Sequence, residues 1–160
     1  MAKPAGQWPT MSRFLPDEGG ARRLLSRAAQ LLRVLVADDN PDICEMCATL
    51  LRLWGHEVLL ASNGNQALDI ARRERPDVAI LDIGMPRLTG YEVAQAIRRD
   101  IGSGMVLVAV TGWGQEEAKA RTAEAGFDDH LTKPVEPAAL EALLAAVAAN
   151  AHAPLRATSA

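Results

Sequence analysis

From residue 33 onward the chain alternates five times between a short apolar run and a longer amphipathic stretch. The runs are Val34–Ala37, Val58–Ala61, Val78–Leu81, Met105–Val110 and a weaker one at His130–Leu131. Helical periodicity occupies residues 42–54, 64–74, 90–99, 115–125 and 137–149. The runs are too short for helices, and the better ones are bounded by Gly, Pro, Asn or Asp, so they are predicted as strands. The first, third and fourth are nearly continuous hydrophobes, as a strand covered on both faces requires. Five βα units in about 118 residues predict a doubly wound α/β domain, a five-stranded parallel sheet with helices on both faces.

Punctuation supports the same division. Asn40 can cap a helix with Pro41 at its first position, Asn63 can cap the next, and Pro137 suits the first turn of the last. Gly55 and Gly126 fall just past helix ends, where a left-handed residue is wanted. Residues 1–20 mix Pro, Gly, Ser and charge without periodicity and are expected to be a disordered leader. Within 21–32, Leu24, Leu25, Ala28, Leu31 and Leu32 alternate with Arg22, Arg23, Ser26, Arg27 and Gln30, an amphipathic helix or linker that needs a surface to lie on. Residues 33–150 form the predicted domain, and 151–160 a disordered tail.

The formal charge of −3 conceals an asymmetry: residues 1–33 balance at +4 and the remaining 127 carry −7. An acidic body argues against a nucleic-acid surface on the main domain, because duplex binding needs clustered cations. No apolar run approaches the roughly 18 to 20 residues needed to cross a bilayer, and no apolar core follows Lys3 as in a signal peptide; a cytoplasmic location is expected. Cys44 and Cys47 lie one helical turn apart and form no disulfide framework. Their CxxC spacing superficially matches a redox motif, but Cys47 shares an apolar face with Ile43, Leu50 and Leu51, so packing is expected. His56 and His152 lack partners at metal-ligand spacing. Asp128 and Asp129 are placed in the loop before the fifth strand, and Gly102-Ser103-Gly104 reads as a connector.

The informative polar residues follow strands. Asp38 and Asp39 follow the first, Asp82 the third, Thr111 the fourth, and Lys133 with Pro134 the fifth. All fall at carboxyl ends, the edge where open α/β sheets bind ligands. Three clustered carboxylates stay ionised only beside a cation, and an all-oxygen set suits Mg²⁺. Asp38 or Asp39 together with Asp82 can hold the ion while one Asp82 oxygen stays free as a nucleophile. Lys133 and the Thr111 hydroxyl can meet phosphoryl oxygens, the positioning and charge neutralisation that phosphoryl transfer demands. Loop carboxylates that merely cap helices would not explain Lys133 and Thr111 at the same edge.

The segments VLVADDNPD (34–42), LDIGMPRLTGYE (81–92), VAVTG (108–112) and HLTKP (130–134) resemble, in order, the signatures of response-regulator receiver domains of bacterial two-component signalling. Their spacing also matches, with 44 residues from Asp38 to Asp82, 29 to Thr111 and 22 to Lys133. The resemblance covers about residues 33–150 and implies a flavodoxin-like strand order 2-1-3-4-5. It implies Asp82 as phosphoacceptor, Asp38, Asp39, Asp82 and the Gly84 carbonyl as Mg²⁺ ligands, and Thr111 and Lys133 as phosphoryl-binding groups. Pro134 matches a proline whose preceding bond is often cis. Gly84 and Trp113 occupy positions that modulate the phosphoryl lifetime.

One departure stands at His130, where the family usually has Tyr or Phe as a rotamer switch. A histidine there implies weaker or pH-sensitive switching, or simply an exposed strand residue. By resemblance the phosphodonor is a histidine kinase or histidine phosphotransfer protein docking on the first helix, where Ile43, Cys44, Met46 and Cys47 offer side chains. The face around the fourth helix, fifth strand and last helix would take a phosphorylation-dependent partner or a homodimer. Only AHAPLRATSA follows residue 150, so output by protein binding or phosphoryl relay is expected, without enzymatic turnover. The competing readings are a scaffold that is never phosphorylated, a receiver detached from a hybrid histidine kinase, and a phosphatase of the haloacid dehalogenase type. The last is disfavoured because Asp82-Ile-Gly lacks the second Asp of its DxD motif.

Overall fold

The computed structural model describes residues 31–112 and 116–151. Its elements are β1 (Arg33–Ala37), α1 (Pro41–Leu53), β2 (Glu57–Ala61), α2 (Gly64–Glu74), β3 (Val78–Asp82), α3 (Gly90–Asp100), β4 (Val106–Thr111), α4 (Glu116–Ala125), β5 (Asp129–Thr132) and α5 (Pro137–Ala151). All ten agree with the predicted alternation within a few residues. The strands form one parallel sheet in the order β2-β1-β3-β4-β5. The chain therefore leaves β1 toward one side and returns to β3 on the other, which opens a crevice at the carboxyl ends of β1 and β3.

The strand pleat sorts the core into two layers. Val34, Val36, Ile80, Val108, Val110 and Leu131 face α1 and α5, where Cys47, Leu51, Leu140 and Leu144 meet them. Leu35, Ala37, Ala79, Leu81, Leu107 and Ala109 face the other way, toward Ala67, Ala71, Val93, Ile97 and Phe127. The central strands are buried almost throughout, whereas edge strands β2 and β5 are only partly so. The partial burial of β5 accounts for its weaker apolar run.

Local chemistry sets the boundaries. The Asn40 side chain accepts from the Asp42 N–H with Pro41 opening α1, and the Asn63 side chain accepts from the Gln66 N–H at α2. Gly55 and Gly126 take the expected left-handed conformation (φ +89° and +100°). Thr89 and Glu92 close a reciprocal capping box on α3.

At the amino-terminal edge Arg98 acts as a polar hub. It donates to the carbonyls of Gly126, Gly102 and Met105 and, at 2.7 Å, to Asp128 Oδ2, which also accepts from the Leu107 N–H. Asp128 thus lies in the loop before β5 as expected, while Asp129 is the first residue of the strand itself. Of the amphipathic stretch expected over 21–32, only Leu31 and Leu32 are described, and they lead into β1 without helical structure. The rest of that stretch, the leader 1–20 and the tail from 152 lie outside the described residues.

Candidate functional site

Asp38 leaves β1 with its backbone N–H on the Ala61 carbonyl, 3.2 Å away. Its Oδ1 accepts from the Asn40 N–H at 2.9 Å, which fixes the carboxylate over the crevice. The chain then turns into α1, and the Cys44 thiol donates back to the Asp38 carbonyl at 3.3 Å and, more weakly, reaches the Ala61 carbonyl at 3.8 Å. Cys44 therefore ties the loop that carries the acidic pair to the ends of both β1 and β2. Sequence inspection of the CxxC did not reveal this role, which depends on the loop folding back over the first turn of α1.

Asp82 ends β3. Its Oδ1 accepts from the Gly84 N–H at 3.0 Å, and the Ile83 N–H continues the ladder to the Val110 carbonyl. Gly84 is exposed beside it, and a Cβ built there would touch Asp82 Oδ1 at 3.5 Å. Six residues further on, Gly90 opens α3 directly against the Asp82–Ile83 backbone. A Cβ there would lie 2.6 Å from the Asp82 carbonyl oxygen and 2.7 Å from the Ile83 Cα. Met85, buried under this loop in the α2/α3 layer, anchors it from below. The clash at Gly90 has no signal in a single sequence, because it arises between segments that only the fold brings together.

Lys133 completes the constellation. Its N–H donates to the Thr111 carbonyl at 2.7 Å, and the bond to Pro134 is cis, as the resemblance implied. The ammonium stands 3.2 Å from Asp38 Oδ2 and 3.2 Å from Asp82 Oδ2. Each buried carboxylate thus has one oxygen on a backbone N–H and the other on Lys133. Burial works against the lysine's charge, but Asp38 and Asp82 outweigh it, and the ammonium's pKa is held above its ordinary value.

Asp39, exposed beside them, offers a third carboxylate. Ligand atoms from Asp38, Asp39 and Asp82 all lie within 4.8 Å of one another. A single ammonium cannot neutralise three carboxylates, and the donors are all oxygen, so the set fits a hard divalent cation such as Mg²⁺. Thr111 is buried at the end of β4, the strand next to β3.

The remaining predicted positions are less central. His130 is half-buried on β5, paired in register with Ala109. The pleat sends its side chain away from Leu131, so it faces the α3/α4 side. Its Nδ1 lies 3.9 Å from Asp129 Oδ1. Burial pushes the Asp129 carboxyl above its usual range, an effect opposed by the His130 N–H and ring. Trp113 lies outside the described residues. Sequence reasoning missed Tyr91 in the first turn of α3: its ring meets Phe127 edge-on at 6.5 Å and carries the Arg121 guanidinium 4.7 Å above it. That contact ties α3, the element following the Asp82 loop, to α4 and to the approach to β5.

One expectation needs correction. Cys44 and Cys47 do not offer side chains on the outer face of α1; both are free and buried, and burial pushes both thiols up in pKa. A stable thiolate, which redox chemistry requires, is therefore disfavoured. Met46, by contrast, is exposed. His56, read as an ordinary residue, accepts the Leu32 N–H on Nδ1 at 3.3 Å.

A family model described as the response regulator receiver domain matches residues 34–145. Protein PilH of Pseudomonas aeruginosa is 35% identical over 121 residues, covering 75% of this chain and the whole of that protein. A Guillardia theta protein described as "Probable transcriptional regulator ycf27" is 41% identical over 115 residues, covering 72% of this chain. The chain spans only 44% of that relative's length.

Among solved structures, the Vibrio cholerae chemotaxis response regulator CheY4 aligns with TM-score 0.69 at 32% identity, covering 73% of this chain and 98% of that one. The receiver domain of the Pseudomonas aeruginosa sensor histidine kinase PA1611, with a magnesium ion coordinated in its active site cleft, aligns at TM-score 0.66 and 30% identity. That alignment covers 71% of this chain and 94% of the other. The receiver domain of Ssk1 from Saccharomyces cerevisiae, co-crystallised with the histidine phosphotransfer protein Ypd1, aligns at 0.66 and 27%, covering 70% and 85%. Among the described residues no helix is long and apolar enough to cross a membrane.

Proposed function

This chain belongs to the response regulator receiver domain family of two-component signalling, and on that premise we propose that Asp82 accepts a phosphoryl group from a phosphohistidine on a histidine kinase or histidine phosphotransfer protein. The observation that carries the reading is the Lys133 ammonium, 3.2 Å from both Asp38 Oδ2 and Asp82 Oδ2. Cation, metal-binding carboxylate and nucleophile therefore share one edge of the sheet.

Asp38, Asp39, Asp82 and the Gly84 carbonyl would hold Mg²⁺; bound there, the ion supplies positive charge to the phosphoryl oxygens. The PA1611 receiver, with magnesium in its cleft, supports that assignment. The Asp82 carboxylate, already an anion, needs no general base. One of its oxygens forms the new bond to phosphorus, and the bond from phosphorus to the histidine nitrogen breaks with its electron pair leaving on the imidazole. Lys133 shifts from Asp82 Oδ2 to a phosphoryl oxygen, and the Thr111 hydroxyl donates to another. Water later cleaves the acyl phosphate.

His130 takes the position of the switch ring. Phosphorylation-induced chemical-shift changes on β5 are expected to be altered in His130→Ala, and responses identical to wild type would remove His130 from that role. Gly84 leaves the acceptor open on one side, while Trp113 is assigned to modulating the phosphoryl lifetime. A changed dephosphorylation rate in Trp113→Ala is the corresponding measurement.

The donor meets α1, where the exposed large apolar side chains are Met46 and Leu53 rather than the two cysteines, and the Ypd1–Ssk1 complex supports a histidine phosphotransfer partner. A cytoplasmic site of action goes with such partners. Output passes by phosphorylation-dependent protein binding or relay, as a stand-alone receiver, a reading that the full-length match to PilH favours. The PA1611 receiver favours a second reading, in which the domain serves a hybrid histidine kinase. Both predict incorporation of one acid-stable, base-labile phosphate from acetyl phosphate with Mg²⁺, abolished in Asp82→Asn. Absence of labelling would leave the scaffold reading.

A further inference from the structure

The outer side of α1 carries an apolar stripe that nothing among the described residues covers. Cys44, Cys47, Ala48 and Leu51 turn inward. At 100° per residue, Met46 and Leu53 fall on the opposite side; they are 50% and 75% exposed. Asp42 and Glu45 are exposed at the amino-terminal end of the stripe. The chain preceding β1 arrives at its other end. Leu32 is held there by His56 Nδ1 and by the Glu57 N–H, both just past α1, and Leu31 is 68% exposed.

We propose that residues 21–30 of this chain cover the α1 stripe as a short amphipathic helix, so that the protein carries its own occupant for that face. Length and direction fit. Ten helical residues span about 15 Å and the thirteen of α1 about 20 Å. α1 descends toward the amino-terminal edge of the sheet, and the segment must finish at that edge at Leu31, so the two run parallel. Leu31 then lies level with Leu53, and Leu24, Leu25 and Ala28 lie along the stripe toward Met46. Charge fits as well: Arg22 and Arg23 reach the level of Asp42 and Glu45. A helix this short is not stable alone in water, and its apolar side needs such a surface.

The functional consequence rests on the reading above, because the stripe is also the face proposed for the phosphodonor, and segment and donor would compete for it. The docking itself requires no phosphorylation. It is tested in the full chain with methyl-labelled methionine and the double variant Leu24→Asp/Leu25→Asp, both substitutions lying outside the described residues. The Met46 methyl resonance, assigned with Met46→Leu, should move in the double variant while those of buried Met85 and Met105 stay in place. Tryptic cleavage after Arg27 should accelerate about tenfold as the docked segment is released. An unmoved Met46 signal with unchanged cleavage overturns the proposal. Protection that grows with protein concentration alongside a sedimenting dimer overturns it in favour of a second copy. Protection seen only with phosphatidylglycerol vesicles overturns it in favour of a membrane surface. Acetyl phosphate, too small to need α1, should label wild type and variant alike; failure of both to label sinks the phosphoacceptor reading and leaves the docking result standing.

Discussion

Asp82→Asn tests the electrostatics of the site and its metal assignment together. Without a divalent cation, Asp82 is pulled by Lys133 at 3.2 Å and pushed by Asp38 and Asp39, whose ligand atoms lie within 4.8 Å. At an effective dielectric constant of about 20 the attraction is worth about 5 kcal/mol and each repulsion at least about 3.5 kcal/mol. The two repulsions together exceed the attraction by about 2 kcal/mol, and solvent screening of exposed Asp39 reduces this to about 1 kcal/mol. The substitution is nearly isosteric, and an Asn Oδ1 can still accept the Gly84 N–H. In EDTA the variant should therefore be about 1 kcal/mol more stable than wild type, read as a higher urea midpoint at unchanged slope. In excess MgCl₂ the order should reverse. Wild type gains about 2.7 kcal/mol at one hundred times its dissociation constant, whereas the variant has lost a ligand and gains much less. A variant less stable than wild type in EDTA would mean that Lys133 already over-compensates the acidic cluster. Equal stabilisation of both proteins by Mg²⁺ would remove Asp82 from the metal site.

Three further outcomes are expected. Gly90→Ala should destabilise by about 2 kcal/mol, since a helix-propensity gain of about 1 kcal/mol is opposed by a backbone clash costing about 3 kcal/mol; a urea midpoint at or above wild type would refute the close approach to Asp82. Arg98→Met should cost about 3 kcal/mol, because it leaves the Asp128 carboxylate without its cation in a largely buried site, and adding Asp128→Asn should recover part of the loss; a double-mutant cycle showing strict additivity would count against the hub. Burial lowers the His56 pKa from 6.5, so the unfolded chain binds the proton more readily and stability falls as pH drops below 6.5 toward the folded-state value, by at most about 1.4 kcal/mol per pH unit. Denaturation at about pH 5 and about pH 7.5 should show this loss diminished in His56→Gln; an equal loss in both proteins would exclude His56 as its source.

Much of this protein was legible in one dimension because the relevant physics is short-range. Strand and helix periodicities, the caps at Asn40 and Asn63 and the left-handed Gly55 and Gly126 depend on residues within a few positions of one another. Placing Asp38, Asp82, Thr111 and Lys133 at strand ends followed directly, since a parallel sheet brings all carboxyl ends to one edge. The tertiary structure alone decided how the groups meet. It set the division of each buried carboxylate between a backbone N–H and Lys133, turned both cysteines inward with Cys44 on the Asp38 carbonyl, and packed Gly90 against the backbone of Asp82. It also joined Arg98 to Asp128 and Tyr91 to Phe127 and Arg121. Those contacts link segments about 30 residues apart, where register, helix rotation and close packing fix distances that local pattern does not encode.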